Sequence, residues 1–163
     1  NVNAQTKTLI DRSQALWARK YMLKQPLSAS GEKKKGVFIS VGATEQKYGS
    51  RLVASYSNYG KNSVDVFAPG AKVYSTTPEN EYDTKGGTSM AAPAVAGVAA
   101  LIRSYYPKLK ASQVKQILMD SGLAVKTKVI VGGDTNNIKP FSDLIKSSKM
   151  VNAYNALIMA SKI

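Results

Sequence analysis

The run Gly86-Gly87-Thr88-Ser89-Met90-Ala91-Ala92-Pro93 sets a serine hydroxyl just after two glycines and just before a string of small apolar residues. Glycine lets the backbone turn tightly and lets another chain approach closely. The residues that follow predict a helix from about Ser89 to Tyr106, closed by Pro107, with Pro93 in a first turn where no helical donor is lost. Such a helix opens with N–H groups that have no helical partner, and its dipole is positive at that end. A hydroxyl placed there suits a nucleophile, because the oxyanion formed on an attacked carbonyl would lie near the Ser89 N–H. Composition alone favours a plainer role: serine is a common N-cap, and Ser89 can simply cap a core helix.

A lone hydroxyl is a weak nucleophile near neutral pH and needs a base. The chain contains no histidine and no cysteine. Imidazole bases, imidazole or thiolate metal sites, thiol nucleophiles and disulfides are therefore excluded from these 163 residues. Ser–Lys pairs exist, and Lys85 is near Ser89 in sequence, but a lysine at a helix-entry turn is expected at the surface. Asp83 and Asp120 read as turn and helix-end residues, and Asp65 as structural; none is given a catalytic role. No acidic cluster marks a metal site.

The surrounding elements must hold Ser89 in place. With 163 residues, 44% of them hydrophobic, the chain suits one domain or a piece of a larger one. Its 23 Lys and Arg against 10 acids give a net charge of +13, but the only dense cluster is Lys33-Lys34-Lys35. No RNA-recognition, zinc-finger or helix-turn-helix signature accompanies it, so no nucleic-acid partner is expected. The longest apolar run, Ala91 to Ile102, falls short of the roughly 20 residues of a membrane span.

Residues 1–35 read as a basic N-terminal segment or insertion, with a helix over 9–23 broken by Pro26, Ser28, Ser30 and Gly31. Asp11, Arg12 and Arg19 interrupt its apolar stretch, so it does not read as a signal peptide. From Gly36 to Ile163 strands alternate with helices. Val37–Val41 (stopped by Gly42), Val64–Ala68 and Val73–Thr77 read as at least partly buried strands, and 78–87 as turns. Met90 to Ile102 is small or apolar on every side, which predicts a helix buried in the middle of the fold. A second helix takes Ser112 as N-cap, with Val114, Ile117 and Leu118 on one face and Gly122 past its end. Val129–Val131 is a further strand, and Val151, Tyr154, Leu157 and Ile158 form the apolar stripe of a third helix. The alternation predicts an α/β layered fold.

At this point the chain resembles the subtilases, the subtilisin-like serine proteases. Gly87-Thr88-Ser89-Met90-Ala91-Ala92-Pro93 is similar to the family's nucleophile motif at every fixed position, and Val95 to Leu101 continues as its buried helix. Ile39-Ser40-Val41-Gly42-Ala43, Ser55-Tyr56-Ser57-Asn58-Tyr59-Gly60, Val64-Asp65-Val66-Phe67-Ala68-Pro69-Gly70 and Val73-Tyr74-Ser75-Thr76 resemble family segments in the family's order. Gln113–Leu118 and Val151–Leu157 resemble its closing helices. Several matches in one fixed order are far more specific than any single motif.

The resemblance implies a three-layer α/β/α fold with a mostly parallel sheet, of which 36–163 would be the C-terminal portion. It implies Ser89 as nucleophile of a serine endopeptidase, with Gly86, Gly87 and Thr88 forming the substrate-binding and oxyanion wall. It implies a protein or peptide substrate, a secreted or cell-envelope location, no cofactor for the chemistry, and calcium as a structural ion with no site identified here. The departures bear on activity. The family's Asp and His would precede Asn1, its oxyanion asparagine has no convincing match, and Ala94 stands where many members carry a non-catalytic histidine. Loss of the His from such a triad costs about 10⁶ in kcat, roughly 8 kcal/mol of barrier. The chain alone is therefore expected to be inactive and to need the missing N-terminal half of the domain; left to itself, it would pair with another copy or stay partly molten. The alternative is a catalytically dead subtilase-like module used for binding or oligomerisation.

Overall fold

The computed structural model describes residues 36–163. The helix expected over 9–23 and the basic segment 1–35 lie outside the described residues. In chain order the elements are β1 (Val41–Thr44), β2 (Val66–Pro69), β3 (Val73–Thr77), β4 (Glu81–Lys85), α1 (Thr88–Tyr105) and α2 (Ala111–Asp120). Then follow β5 (Leu123–Ala124), β6 (Lys128–Val131), β7 (Asp134–Pro140), β8 (Lys149–Met150) and α3 (Ala153–Ala160). The main sheet has the order β1-β2-β8-β5, parallel at β1–β2 and β2–β8 and antiparallel at β8–β5. This is an α/β fold with a mostly parallel sheet.

The side-chain alternation of β2 divides the core in two. Val66 and Ala68 join Ala43 on one face and pack with Ala91, Val95 and Ile102 of α1 and with residues of α2 and α3. Phe67 points to the opposite face, where its ring meets Phe141 at 5.2 Å beside Leu52, Val129, Val131 and Leu144. The described residues thus put helices on one face and the β6–β7 hairpin on the other. Full burial of a side chain the size of Phe67 stabilises by roughly 2–3 kcal/mol.

Several sequence expectations shift. The first strand does not occupy 37–41: Phe38 is 81% exposed and pairing begins at Val41. Gly42 continues the strand rather than ending it, because it lies against Phe67, where an added Cβ would come within 2.5 Å of the ring. What fixes the approach to β1 is Asp65. Its carboxylate accepts the Ser40 N–H at 2.9 Å and Lys115 Nζ at 2.7 Å, and the same ammonium donates to the Phe38 carbonyl at 2.9 Å. This pair is mostly buried, and removing one partner from such a pair costs about 3 kcal/mol.

Strand β3 is mostly exposed, and the segment expected to be turns supplies its antiparallel partner β4, with Tyr74 and Tyr82 stacked across the ribbon at 5.6 Å. The second helix starts earlier than expected: Lys110, not Ser112, is its N-cap, and the Lys110 N–H donates to Gln113 Oε1 at 2.9 Å. In α3 the core side is Ala156 and Ala160, while Tyr154 and Ile158 of the expected stripe are exposed. Helix α1 is not enclosed on all sides. Its buried residues are Ala91, Val95 and Ile102, and Ala94, Ala96, Gly97, Ala100 and Leu101 are exposed. Pro93 is the sixth residue of α1, beyond the first turn, and the helix runs through it to Tyr105.

Candidate active site

The loop after β2 and the loop before α1 meet at two glycines. The Gly70 and Ala71 N–H groups both donate to the Thr44 carbonyl at 3.1 Å, tying the loop to the end of β1. The Gly87 N–H in turn donates to the Gly70 carbonyl at 2.8 Å. Approach this close needs glycine: a Cβ on Gly70 would lie 2.7 Å from Ala43 Cβ and 2.8 Å from the Gly87 oxygen. Gly87 has φ 153 and ψ 158, a conformation that side-chain-bearing residues avoid. It serves as the N-cap of α1, its carbonyl accepting the Met90 N–H at 2.9 Å.

Ser89 follows as the second residue of α1, half-buried, in its first turn. No acidic side chain sits in that first turn, so the positive end of the dipole is not neutralised locally. Thr88 and Gly87 are also half-buried and Gly86 is exposed, so all four expected site residues lie on one continuous turn. The positive end of the α1 dipole at this turn would favour the negative charge that develops on an attacked carbonyl.

Sequence reasoning missed the residue that locks this turn. Tyr56 Oη donates to the Gly70 carbonyl at 3.0 Å, so that oxygen receives both the phenol and the Gly87 N–H. Partial burial pushes the hydroxyl of Tyr56, a residue 48% exposed, above its ordinary pKa of 10.0, and the nearby Glu45 charge adds to this, partly opposed by the Gly87 backbone. The Ser57 hydroxyl, one residue on, accepts the Ala43 N–H at 2.9 Å, so the tyrosine is anchored to β1 from behind. Tyr56 lies in a segment noticed only for its resemblance, and no periodicity signals a contact 14 residues away. Lys85 is exposed on β4 and stands 3.7 Å from Asp83, itself exposed. Asp120 ends α2 and accepts from Gln116. Among the described residues no group of three or more His, Cys, Asp or Glu side chains converges, and no helix is long and apolar enough to cross a membrane.

A model of the Subtilase family matches residues 14–148, most of the chain. The chain belongs to the subtilase family. Subtilisin DY from Bacillus licheniformis is 43% identical over 101 residues, covering 62% of this chain and 35% of that protein. The thermostable alkaline protease of Halalkalibacterium halodurans is 46% identical over 78 residues, covering 48% of this chain and 20% of its own length. Among solved structures, the A-subunit of the AB5 toxin from E. coli matches with a TM-score of 0.58 and 26% identity, over 75% of this chain and 37% of that one. A cold adapted subtilisin-like serine proteinase matches with a TM-score of 0.50 and 35% identity, over 63% of this chain and 34% of its own. This subtilase chain therefore spans about a third of the length of Subtilisin DY.

Proposed function

We propose that this chain carries the nucleophile of a serine endopeptidase, with Ser89 attacking a peptide carbonyl. The observation that carries the proposal is the half-buried Ser89 at the opening of α1, on a turn locked by the Gly70 carbonyl. As the hydroxyl adds to the carbonyl carbon, its proton must pass to a base, and the negative charge moves to the carbonyl oxygen. Gly86, Gly87 and Thr88 form the substrate-binding and oxyanion wall around it. These 163 residues contain no histidine to act as that base. A histidine oriented by an aspartate must come from polypeptide outside this sequence, and it would return the proton to the leaving amine. Hydroxyl, imidazole and carboxylate complete this chemistry, so we assign no cofactor to it. The substrate class is protein or peptide. A secreted or cell-envelope setting fits the relatives, one of which is the cell wall-associated protease of Bacillus subtilis. We place the complementing polypeptide, or in its absence a second copy of this chain, against the exposed flank of α1.

The lack of histidine favours a second reading, a binding module without catalysis. One experiment separates the two. This chain is joined to, or co-expressed with, an upstream subtilase segment bearing the Asp and His, and is then exposed to a fluorophosphonate. Expected results are labelling of Ser89 in the complemented protein, none in Ser89→Ala, and none in the chain alone. A complemented protein that stays folded and unlabelled rejects the nucleophile.

A further inference from the structure

A cavity of about 500 Å³ opens where the loop after β1 and the residue after Ala71 meet the β6–β7 hairpin, within the roughly 300–1,000 Å³ range of ligand clefts. Among the described residues its lining includes Lys47, Arg51 and Lys72 with Glu45 as the one acid, and Ser55 and Thr135 supply hydroxyls. The walls are held by specific bonds. Gln46 Nε2 donates to the Lys72 carbonyl at 3.2 Å, and the Ile130 N–H donates to the Ser50 carbonyl at 2.7 Å, fixing the β6–β7 hairpin against the loop after β1. At the hairpin turn Gly133 lies so close to Ser55 that an added Cβ would sit 3.2 Å from the serine Cβ. Ser55 directly precedes Tyr56, and Lys72 follows Gly70 by two residues. Two lining residues are thus chain neighbours of the Tyr56–Gly70 lock.

We infer that this cavity binds the acidic side chains of a polypeptide lying across the Ser89 turn, so that the substrate class is peptides rich in Asp or Glu beside the cleaved bond. The inference rests on the endopeptidase reading for the word substrate, but not for the binding itself. Three cations in one concave site create a field that draws carboxylates and survives salt better than isolated surface charges. Arg51 can grip a carboxylate through two parallel N–H groups. Glu45 repels a dense polyanion such as a polyphosphate, whereas carboxylates spaced along a peptide can pass it by. The hydroxyls and the Gln46 amide offer the partners that a peptide backbone needs.

The test measures binding of fluorescein-labelled hexaglutamate to the full chain by anisotropy, with labelled hexalysine as control. The expected result is saturable hexaglutamate binding, weakened about tenfold by Lys47→Glu with Arg51→Glu, since reversed charges repel the carboxylates. Lys72 has φ 51, a conformation asparagine tolerates, so Lys72→Asn removes its charge without backbone strain and should also weaken binding. Reversal of the exposed lysines Lys108, past the far end of α1, and Lys162, past the end of α3, should leave binding unchanged. Equal loss from the remote reversal would overturn the site as mere attraction to a chain of net charge +13. Displacement by inorganic tripolyphosphate at lower concentration than by unlabelled hexaglutamate would overturn the peptide assignment. Ser89→Ala should bind hexaglutamate normally. Absent binding with Ser89 still labelled in the complemented protein would remove this inference alone; binding with Ser89 unlabelled would remove the nucleophile alone.

Discussion

Tyr56 shows how one side chain can hold the turn that carries Ser89 while lying outside the motif that announces it. Its hydroxyl must stay protonated to donate to the Gly70 carbonyl, and burial with the Glu45 charge favours that protonated form. The consequence for stability has a definite sign. The folded-state pKa is raised above 10.0, so between 10.0 and that higher value the unfolded chain loses the phenol proton while the folded chain keeps it. Fewer protons on the unfolded state mean that stability falls as pH rises. The contribution of this phenol is thus fully present below pH 10.0 and is lost as pH climbs through the folded-state value. Other tyrosines and lysines titrate in the same range, so the informative quantity is the difference between the native chain and Tyr56→Phe. The native chain should have the higher melting temperature at pH 8, and its lead should shrink at pH 11. A lead that grows with pH would contradict the bond.

Among the elements, the contact between the two glycine loops is the one the site depends on. A methyl group on Gly70 would collide with Ala43 Cβ and with the Gly87 oxygen, neither of which is the free end of a flexible side chain. Gly70→Ala should therefore cost about 1–3 kcal/mol, as overpacking does, and move the Gly87 turn. The check is to measure thermal stability together with Ser89 labelling in the complemented protein; labelling should fall more than the loss of folded protein explains. Gly42→Ala is the control, since its methyl strikes the Phe67 ring on the other side of the sheet. It should lower stability and leave labelling of the folded fraction intact. The same elements explain what the sequence could reveal. Helix α1 was legible because all but Arg103 and Tyr105 of its 18 residues are small or apolar, and β2 because its burial on both faces demands a continuous apolar run. Strands β4 and β7 were not, because EYDTK and DTNNIKP are mostly exposed and owe their form to hairpin pairing rather than to a buried face. The order of motifs located Ser89 and its turn. Tyr56, Gly70 and the basic cavity arise where distant segments meet, and spacing along the chain does not encode such meetings.

At the scale of the whole molecule, the exposed flank of α1 needs a physical account. Ala94, Ala96, Gly97, Ala100 and Leu101 are small or apolar, and all are exposed although Ala91, Val95 and Ile102 on the other side are buried. A helix that is apolar all round belongs inside a fold, and this chain spans about a third of the length of Subtilisin DY. Water against this flank favours any contact that covers it. At micromolar concentration the chain should therefore self-associate, shown by a light-scattering mass above 17.5 kDa. Leu101→Glu should shift it toward the monomer, because burying an unpaired carboxylate in the contact is costly. Gly97 discriminates further. An added Cβ would meet nothing within 4 Å, so in the chain alone Gly97→Ala should raise stability by about 0.5–1 kcal/mol through helix propensity. If the complementing segment packs closely on α1, the same methyl should weaken complementation, read as reduced labelling of Ser89 at limiting concentrations of that segment. A monodisperse monomer with a sharp melting transition, unaffected by Leu101→Glu, would show that this flank is content in water and that the complementing polypeptide must be sought on another face.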